Sequence, residues 1–312
     1  MSCNKDNVKF TVFFNSNEGT AVPPQIVIDG KKATKPEDPT RSGYTFMAWQ
    51  KDAGLTNEWK FDIDVVTEDV TLYAKWEPKQ MIITTSASEI WFSMEGTGTT
   101  IVDWGDGSPQ RIVSIEDDDI TWIECRHRYS VETTHTITII GDNIWSMQCP
   151  GGLITLDVSK NLALKELHCF NNPLTFLNVS GLTLLEILSC SNNLLTSLDI
   201  SGLTQLKSFV CWGNPLSSLN MSGLSNLEWA DCSKNQLTSL NIAGFTSTLT
   251  YFDCGRNYMN STTLNNLFAS LPIVVSGSIQ IYNNGPDYDG SGTDGCDVTI
   301  AEKKGWYVYT GD

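Results

Sequence analysis

Positive charge is scarce in this 312-residue sequence: 20 Lys and Arg stand against 36 Asp and Glu, a formal net charge of −16. A chain this acidic, without a local basic patch, repels phosphates, so nucleic acid and bare anionic membrane are excluded as partners. Histidine is scarcer still, with three residues, His127, His135 and His168. None stands in a Ser/His/Asp order or beside a nucleophile elbow, and no Cys or His cluster has zinc spacing, so the chain is read as no enzyme, with no cofactor and no metal. No apolar run approaches the roughly 18 residues of a membrane helix. No leader is read before Lys5 and Asp6, which leaves a cytoplasmic protein or one with its leader removed. Charged residues make up only 18%, below the usual quarter or so, yet 40% are apolar, which excludes a disordered chain. Nine cysteines is an odd number and cannot be a complete intramolecular disulfide framework.

A repeat fills the C-terminal half. Cys169, Cys190, Cys211, Cys232 and Cys254 are spaced by 21, 21, 21 and 22 residues. Asn172, Asn193, Asn214, Asn235 and Asn257 each follow three residues later, and Leu164, Leu185, Leu206, Leu227 and Leu249 precede by five. The unit reads L-x-x-L-x-C-x-x-N-x-L. It resembles the short leucine-rich repeat of internalins and related bacterial surface proteins. Stacked turns bury a face that one turn cannot bury alone. Each unit predicts a short strand in a parallel sheet, with its Leu and Cys pointing inward. Parallel strands lie about 4.8 Å apart with side chains pointing the same way, which suits neither the convergence nor the dihedral of a disulfide. The cysteines are therefore read as buried free thiols and the asparagines as amides that bond the backbone at the bends. Ile144, Met147 and Cys149 fit a first capping turn, and Ile279, Ile281 and Asn284 a late one. Helices are expected over Thr262–Ser270 and near Val298–Lys304, with Trp306–Tyr309 as a closing strand.

Two modules precede the repeats. Residues 8–77 carry Phe13, Asn15, Pro36, Pro39, Arg41, Gly43, Tyr44, Phe46, Trp49, Leu72, Tyr73, Ala74 and Trp76, and with them resemble the Listeria–Bacteroides (internalin B-type) repeat. One departure is Ala48, where that family has Gly. The resemblance implies a β-grasp-like spacer or interaction unit of extracellular proteins. Residues 78–142 contain Val102-Asp103-Trp104-Gly105-Asp106-Gly107-Ser108, then His127-x-Tyr129 and Thr136-Ile137-Thr138-Ile139. They resemble the polycystic-kidney-disease domain, which implies an Ig-like β-sandwich. The expected fold is multidomain and mostly β: a tether over 1–7, a β-grasp-like module over 8–77, a sandwich over 78–142, and a leucine-rich repeat solenoid with a parallel sheet and C-terminal cap over 143–312. The boundary before the repeats is read near Gly141. The order differs from internalins, which place the B-repeat after the leucine-rich repeats.

Candidate sites follow from the repeat register. The x positions beside the inward residues face the concave side: Glu166, His168, Phe170, Ile187, Val210, Trp212, Trp229, Asp231, Tyr251, Asp253 and Arg256. Outward aromatics are hard to explain by folding alone and mark interaction surfaces. Phe170, Trp212, Trp229 and Tyr251 are the expected anchors, and Asp231, Asp253 and Arg256 the polar selectors. Asp103 and Asp106 are read as turn-formers, Glu116–Asp119 as a solvated loop, and Asp287, Asp289 and Asp294 as acidic residues without an EF-hand's closing Glu. Cys3, followed by Asn4, Lys5 and Asp6, resembles the start of a mature bacterial lipoprotein, which implies lipidation and a membrane contact through that anchor alone. The expected function is a non-catalytic cell-surface or secreted adhesion or protein-binding protein, with outer-membrane lipoprotein anchoring as the form Cys3 implies. Its partner is read as a host or bacterial surface protein. A glycan-binding surface protein and a structural, self-associating one are the alternatives.

Overall fold

A computed structural model describes residues 8–115, 122–285 and 292–311, so Cys3, the Glu116–Asp119 loop, Asp287 and Asp289 lie outside the described residues. The chain divides into two compact units: residues up to Lys79 with Ile140–Asp142, and Gln80–Ile139 with Asn143 onward.

The first unit is a four-stranded sheet of β1 (Lys9–Asn15), β2 (Gln25–Ile28), β3 (Tyr44–Gln50) and β4 (Val70–Pro78), ordered β2-β1-β4-β3. The β1–β4 pair is parallel and the two outer pairs are antiparallel. Alternation sends Val12, Trp49, Leu72 and Ala74 into one core, all at most 1% exposed. Phe14 meets the edge of Trp49 at 4.9 Å, an arrangement that adds to simple area burial. Arg41 lies over the Tyr44 ring at 3.9 Å and pairs with Glu18.

The second unit is built on one 13-stranded sheet. Its strands are β5 (Gln80–Thr85), β6 (Glu89–Asp103), β7 (Arg111–Ile115), β8 (Ile123–Arg128), β9 (His135–Gln148), β10 (Leu153–Asp157), β11 (Glu166–His168), β12 (Ile187–Ser189), β13 (Ser208–Val210), β14 (Trp229–Asp231), β15 (Tyr251–Asp253), β16 (Gly277–Gln280) and β17 (Trp306–Tyr309). From β9 onward the sheet runs β9-β11-β12-β13-β14-β15-β16-β17, and every pair in that run is parallel. Helix α1 (Ser261–Ser270) is inserted before β16, and the short helix α2 (Thr299–Glu302) precedes β17. The Asn260 side chain caps α1 by accepting from the Thr263 N–H at 2.9 Å.

Residues 78–142 do not form a free-standing pair of sheets. The long strand β6 pairs with β7, β8 and β9, and β9 continues into the ladder. The boundary read at Gly141 thus falls inside a strand. Glycine signals a break in sequence, but here its N–H bonds the Lys79 carbonyl at 3.3 Å and the extended backbone simply passes through. Ile144, Met147 and Cys149 accordingly lie along and just after β9 and make the first rung of the ladder without a separate capping turn. Gly96 of β6 has a steric reason: a Cβ there would lie 2.3 Å from the Asn143 carbonyl oxygen.

The ladder's interior follows the expected pattern. Leu167, Leu188, Phe209, Ala230 and Phe252 at the strand centres are 0% exposed, as are Cys149, Cys169, Cys190, Cys211, Cys232 and Cys254. All eight described cysteines are free thiols. Burial pushes the Cys169 thiol up to about 12, which withholds the reactive thiolate. Each ladder asparagine ties two coils together. The Asn193 Oδ1 accepts from the Leu174 N–H at 3.2 Å, while its Nδ2 donates to the Cys169 and Cys190 carbonyls, each at 2.9 Å. Asn172, Asn214 and Asn257 repeat this geometry. The amides supply both the donor and the acceptor that a bend's backbone lacks.

Candidate functional site

Parallel, in-register pairing places equivalent positions of successive coils in rows across the strand face. The first row runs Ser146, Glu166, Ile187, Ser208, Trp229, Tyr251, Ser278, Tyr307. The second runs Gln148, His168, Ser189, Val210, Asp231, Asp253, Gln280, Tyr309. Adjacent strands are separated by about 4.8 Å, close enough for neighbouring rings to stack. Trp229 and Tyr251 do so: their centroids are 3.7 Å apart with planes 10° apart. Trp229 remains 45% exposed, so the stack stands on the surface rather than in the core. The Tyr251 hydroxyl accepts from Gln280 Nε2 at 2.9 Å. Burial, with the Asp253 and Asp231 charges nearby, pushes the phenol up to about 12.

Two residues along each of these strands lie Asp231 and Asp253. Asp231 Oδ1 accepts from the Ser233 N–H at 3.0 Å and hydroxyl at 2.7 Å. Asp253 Oδ1 accepts from the Gly255 N–H at 2.9 Å. Burial raises both carboxyls above the ordinary range, Asp253 to about 7, where the Asp231 charge adds to the cost and Arg256 and Lys234 offset part of it. Among the described residues no Lys, Arg or His lies within ion-pair distance of either.

The cations nearby act on these carboxyls through space, Lys234 on both and Arg256 on Asp253, while each lies over a ring. Lys234 and Arg256 occupy the bend two residues after their cysteines, both with left-handed φ of 52°. Lys234 Nζ sits 4.9 Å from the Trp212 ring centroid, and the Arg256 guanidinium 5.5 Å from that of Tyr282. These are cation–π contacts. Trp212, Trp229, Tyr251, Asp231, Asp253 and Arg256 thus fall on neighbouring coils. Phe170 does not join them: it is two coils from Trp212, with Ser191 between, and three strands from Trp229. Lys234, Gln280 and Tyr282 belong to the cluster and were not singled out from sequence. The signal for Lys234 was present, since it sits at the same repeat position as Arg256. Gln280 and Tyr282 follow the α1 insertion, which breaks the 21-residue spacing.

The other candidates have structural roles. Asp103 and Asp106 accept from the N–H groups of Gly105 and Ser108 at 2.9 and 3.0 Å. His127 Nε2 lies 2.8 Å from Asp106 Oδ2 and its ring stacks on Trp104 at 4.7 Å. Hydrogen bonds from Ser108 and His127 hold the Asp106 carboxyl below the usual range. The Tyr129 hydroxyl donates to the Trp104 carbonyl at 3.1 Å, and its ring stacks on His135. His168, its basicity lowered by burial, meets the Trp122 edge at 6.4 Å. Among the described residues no group of three or more His, Cys, Asp or Glu could hold a metal, and no helix is long and apolar enough to cross a membrane.

Comparison with known proteins adds three similarities. Residues 10–75 match the Listeria–Bacteroides repeat domain family. A putative Gly-rich membrane protein of Evansella cellulosilytica is 42% identical over 69 residues, 22% of this chain and 8% of that protein. A putative membrane protein of the same organism is 41% identical over 68 residues, 22% of this chain and 10% of that protein. The chain therefore spans a tenth or less of the length of these curated relatives. Among solved structures, the functional domain of InlJ from Listeria monocytogenes, which includes a cysteine ladder, is 26% identical with a TM-score of 0.36, over 49% of this chain and 41% of that one. Residues 10–75 are a Listeria–Bacteroides repeat domain.

Proposed function

We propose that the chain is a non-catalytic, cell-surface binding protein whose recognition surface is the strand face of a leucine-rich repeat solenoid. In this reading the Listeria–Bacteroides repeat domain and the polycystic-kidney-disease-like segment are spacers, and Cys3 is the site of a lipid anchor. The names of the relatives that share the repeat domain, both called membrane proteins, support an envelope location. The observation that carries the reading is the exposed Trp229–Tyr251 stack. Folding places large aromatics in cores, and aromatic pairs left on a regular sheet surface are typical binding anchors. The partner is a protein at a host or bacterial surface, recognised by shape and aromatic contact.

The test is the double substitution Trp212→Ala and Trp229→Ala in the full chain. Both side chains lie outside the core, so circular dichroism and unfolding are expected to stay close to the parent. Capture of the surface partner is expected to fall by a hundredfold or more, on the order of 3 kcal/mol for two anchor residues. Undiminished capture would remove the strand face from the account.

A further inference from the structure

The register leaves a slot beside the aromatic stack. Ile187, Ser208 and Trp229 are successive members of the first row, so a serine lies between two large side chains. Trp229 uses one ring face against Tyr251 at 3.7 Å; its other face is turned toward the Ser208 strand. Two strand spacings, less one ring contact, leave about 6 Å above Ser208. That opening admits one flat group lying against the indole.

Charge decides what kind of group. Trp212 and Tyr282 on this face each carry a cation of the chain's own, Lys234 and Arg256. Among the described residues, no cation lies over Trp229 or Tyr251, and the carboxylates of Asp231 and Asp253 beside them have no ion-pair partner. Both hydrogen bonds to Asp231 fall on Oδ1, which leaves Oδ2 for an incoming donor. Ring face, carboxylate and slot together lack a flat cation. A guanidinium is planar, weakly hydrated, stacks on indole and donates to carboxylates; an ammonium is a strongly hydrated point charge that gains nothing from a slot.

Resting on the binding role proposed above, we infer that the slot over Ser208 receives an arginine side chain of a protein partner, stacked on the free face of Trp229 and bonded to Asp231. The partner surface is basic, in keeping with a chain of net charge −16.

The experiment uses capped, fluorescent hexa-arginine and hexa-lysine peptides, titrated by anisotropy into the full chain at physiological salt. Hexa-arginine is expected to bind about tenfold or more tighter than hexa-lysine, because both share the charge and only one stacks. Trp229→Ala, which keeps every charge, and Ser208→Phe, which fills the slot, are each expected to abolish that preference. Asp231→Asn, which retains the Ser233 bonds, weakens hexa-arginine, whereas Glu166→Gln, in the same row but two strands from Ser208, leaves the preference intact. Equal affinity for both peptides would overturn the inference, as would a preference that survives both Trp229→Ala and Ser208→Phe. Saturable binding of a neutral oligosaccharide that Trp229→Ala removes would also overturn it and give the slot to a glycan. If Trp212→Ala with Trp229→Ala abolishes partner capture while the peptides show no preference, the binding role stands and the arginine site falls.

Discussion

Replacing Asn193 with Ala is expected to lower the unfolding free energy of the ladder by about 2–4 kcal/mol, mainly through one orphaned donor. Asn193 is 4% exposed, and its Oδ1 is the acceptor for the Leu174 N–H. With the amide gone, that N–H is buried without a partner. The carbonyls suffer less. Cys169 O still accepts from Asn172 Nδ2 at 3.1 Å, and Cys190 O from Asn214 Nδ2 at 3.0 Å. The loss also uncouples two coils, and in a stacked array each coil depends on its neighbours, so it should appear as earlier, less cooperative unfolding. Urea denaturation followed by far-ultraviolet circular dichroism checks it. Ser197→Ala, at an exposed position of the same coil, is the control and should stay within about 0.5 kcal/mol of the parent. A loss for Asn193→Ala no larger than the control would mean that the asparagine ladder does not hold the coils.

The second large effect is linked to pH. Asp253 is 5% exposed, and burial beside Asp231 raises its carboxyl to about 7. Between the ordinary carboxylate range and pH 7 the folded state therefore keeps a proton that the unfolded chain releases. Folding stability falls as pH rises through that window and levels off above it. Asp253→Asn removes the dependence, and its amide oxygen can still accept from Gly255. The variant is expected to unfold at the same temperature as the parent at pH 4. At pH 8 it should be more stable by on the order of 4 kcal/mol, from a shift of about three units at 1.36 kcal/mol each. Calorimetry at the two pH values measures the difference. A variant equally stabilised at both, or destabilised at pH 8, would show that Asp253 is ionised in the folded protein at little cost.

The ladder could be read from sequence because its physics is periodic. Cysteine at 21-residue spacing and asparagine three residues later demand the same inward geometry at every turn, and the structure puts both in the core. The Trp229–Tyr251 stack was also encoded, since each lies three residues before its cysteine and register alone makes them neighbours. The rest depended on information that spacing does not carry. Tyr282 and Gln280 joined the cluster across the α1 insertion, where the interval from Cys254 to the next inward residue, Ile281, stretches to 27. Phe170 shared the aromatic character of the anchors but not their neighbourhood, because composition says nothing about which coils are occupied between. Gly141 read as a boundary because glycine usually interrupts strands, whereas β9 runs through it. The different destinations of Lys234 and Asp231 depend on ring positions that only coordinates provide.

The central claim is that the strand face around Trp229 and Tyr251 is the surface that meets a partner. Photo-crosslinking tests it most directly. A benzophenone amino acid replaces Tyr307, 70% exposed in the same row as Trp229, or Phe176, 68% exposed in the return segment of a coil. Both changes keep an aromatic at an exposed position, so the fold is little disturbed. Each full-length variant is irradiated with surface-protein extracts, and adducts are identified by mass spectrometry. The account predicts one recurrent adduct from position 307 that competing unlabelled protein suppresses, and none from position 176. Adducts from position 176 alone, or equal and unsuppressed adducts from both, would contradict it.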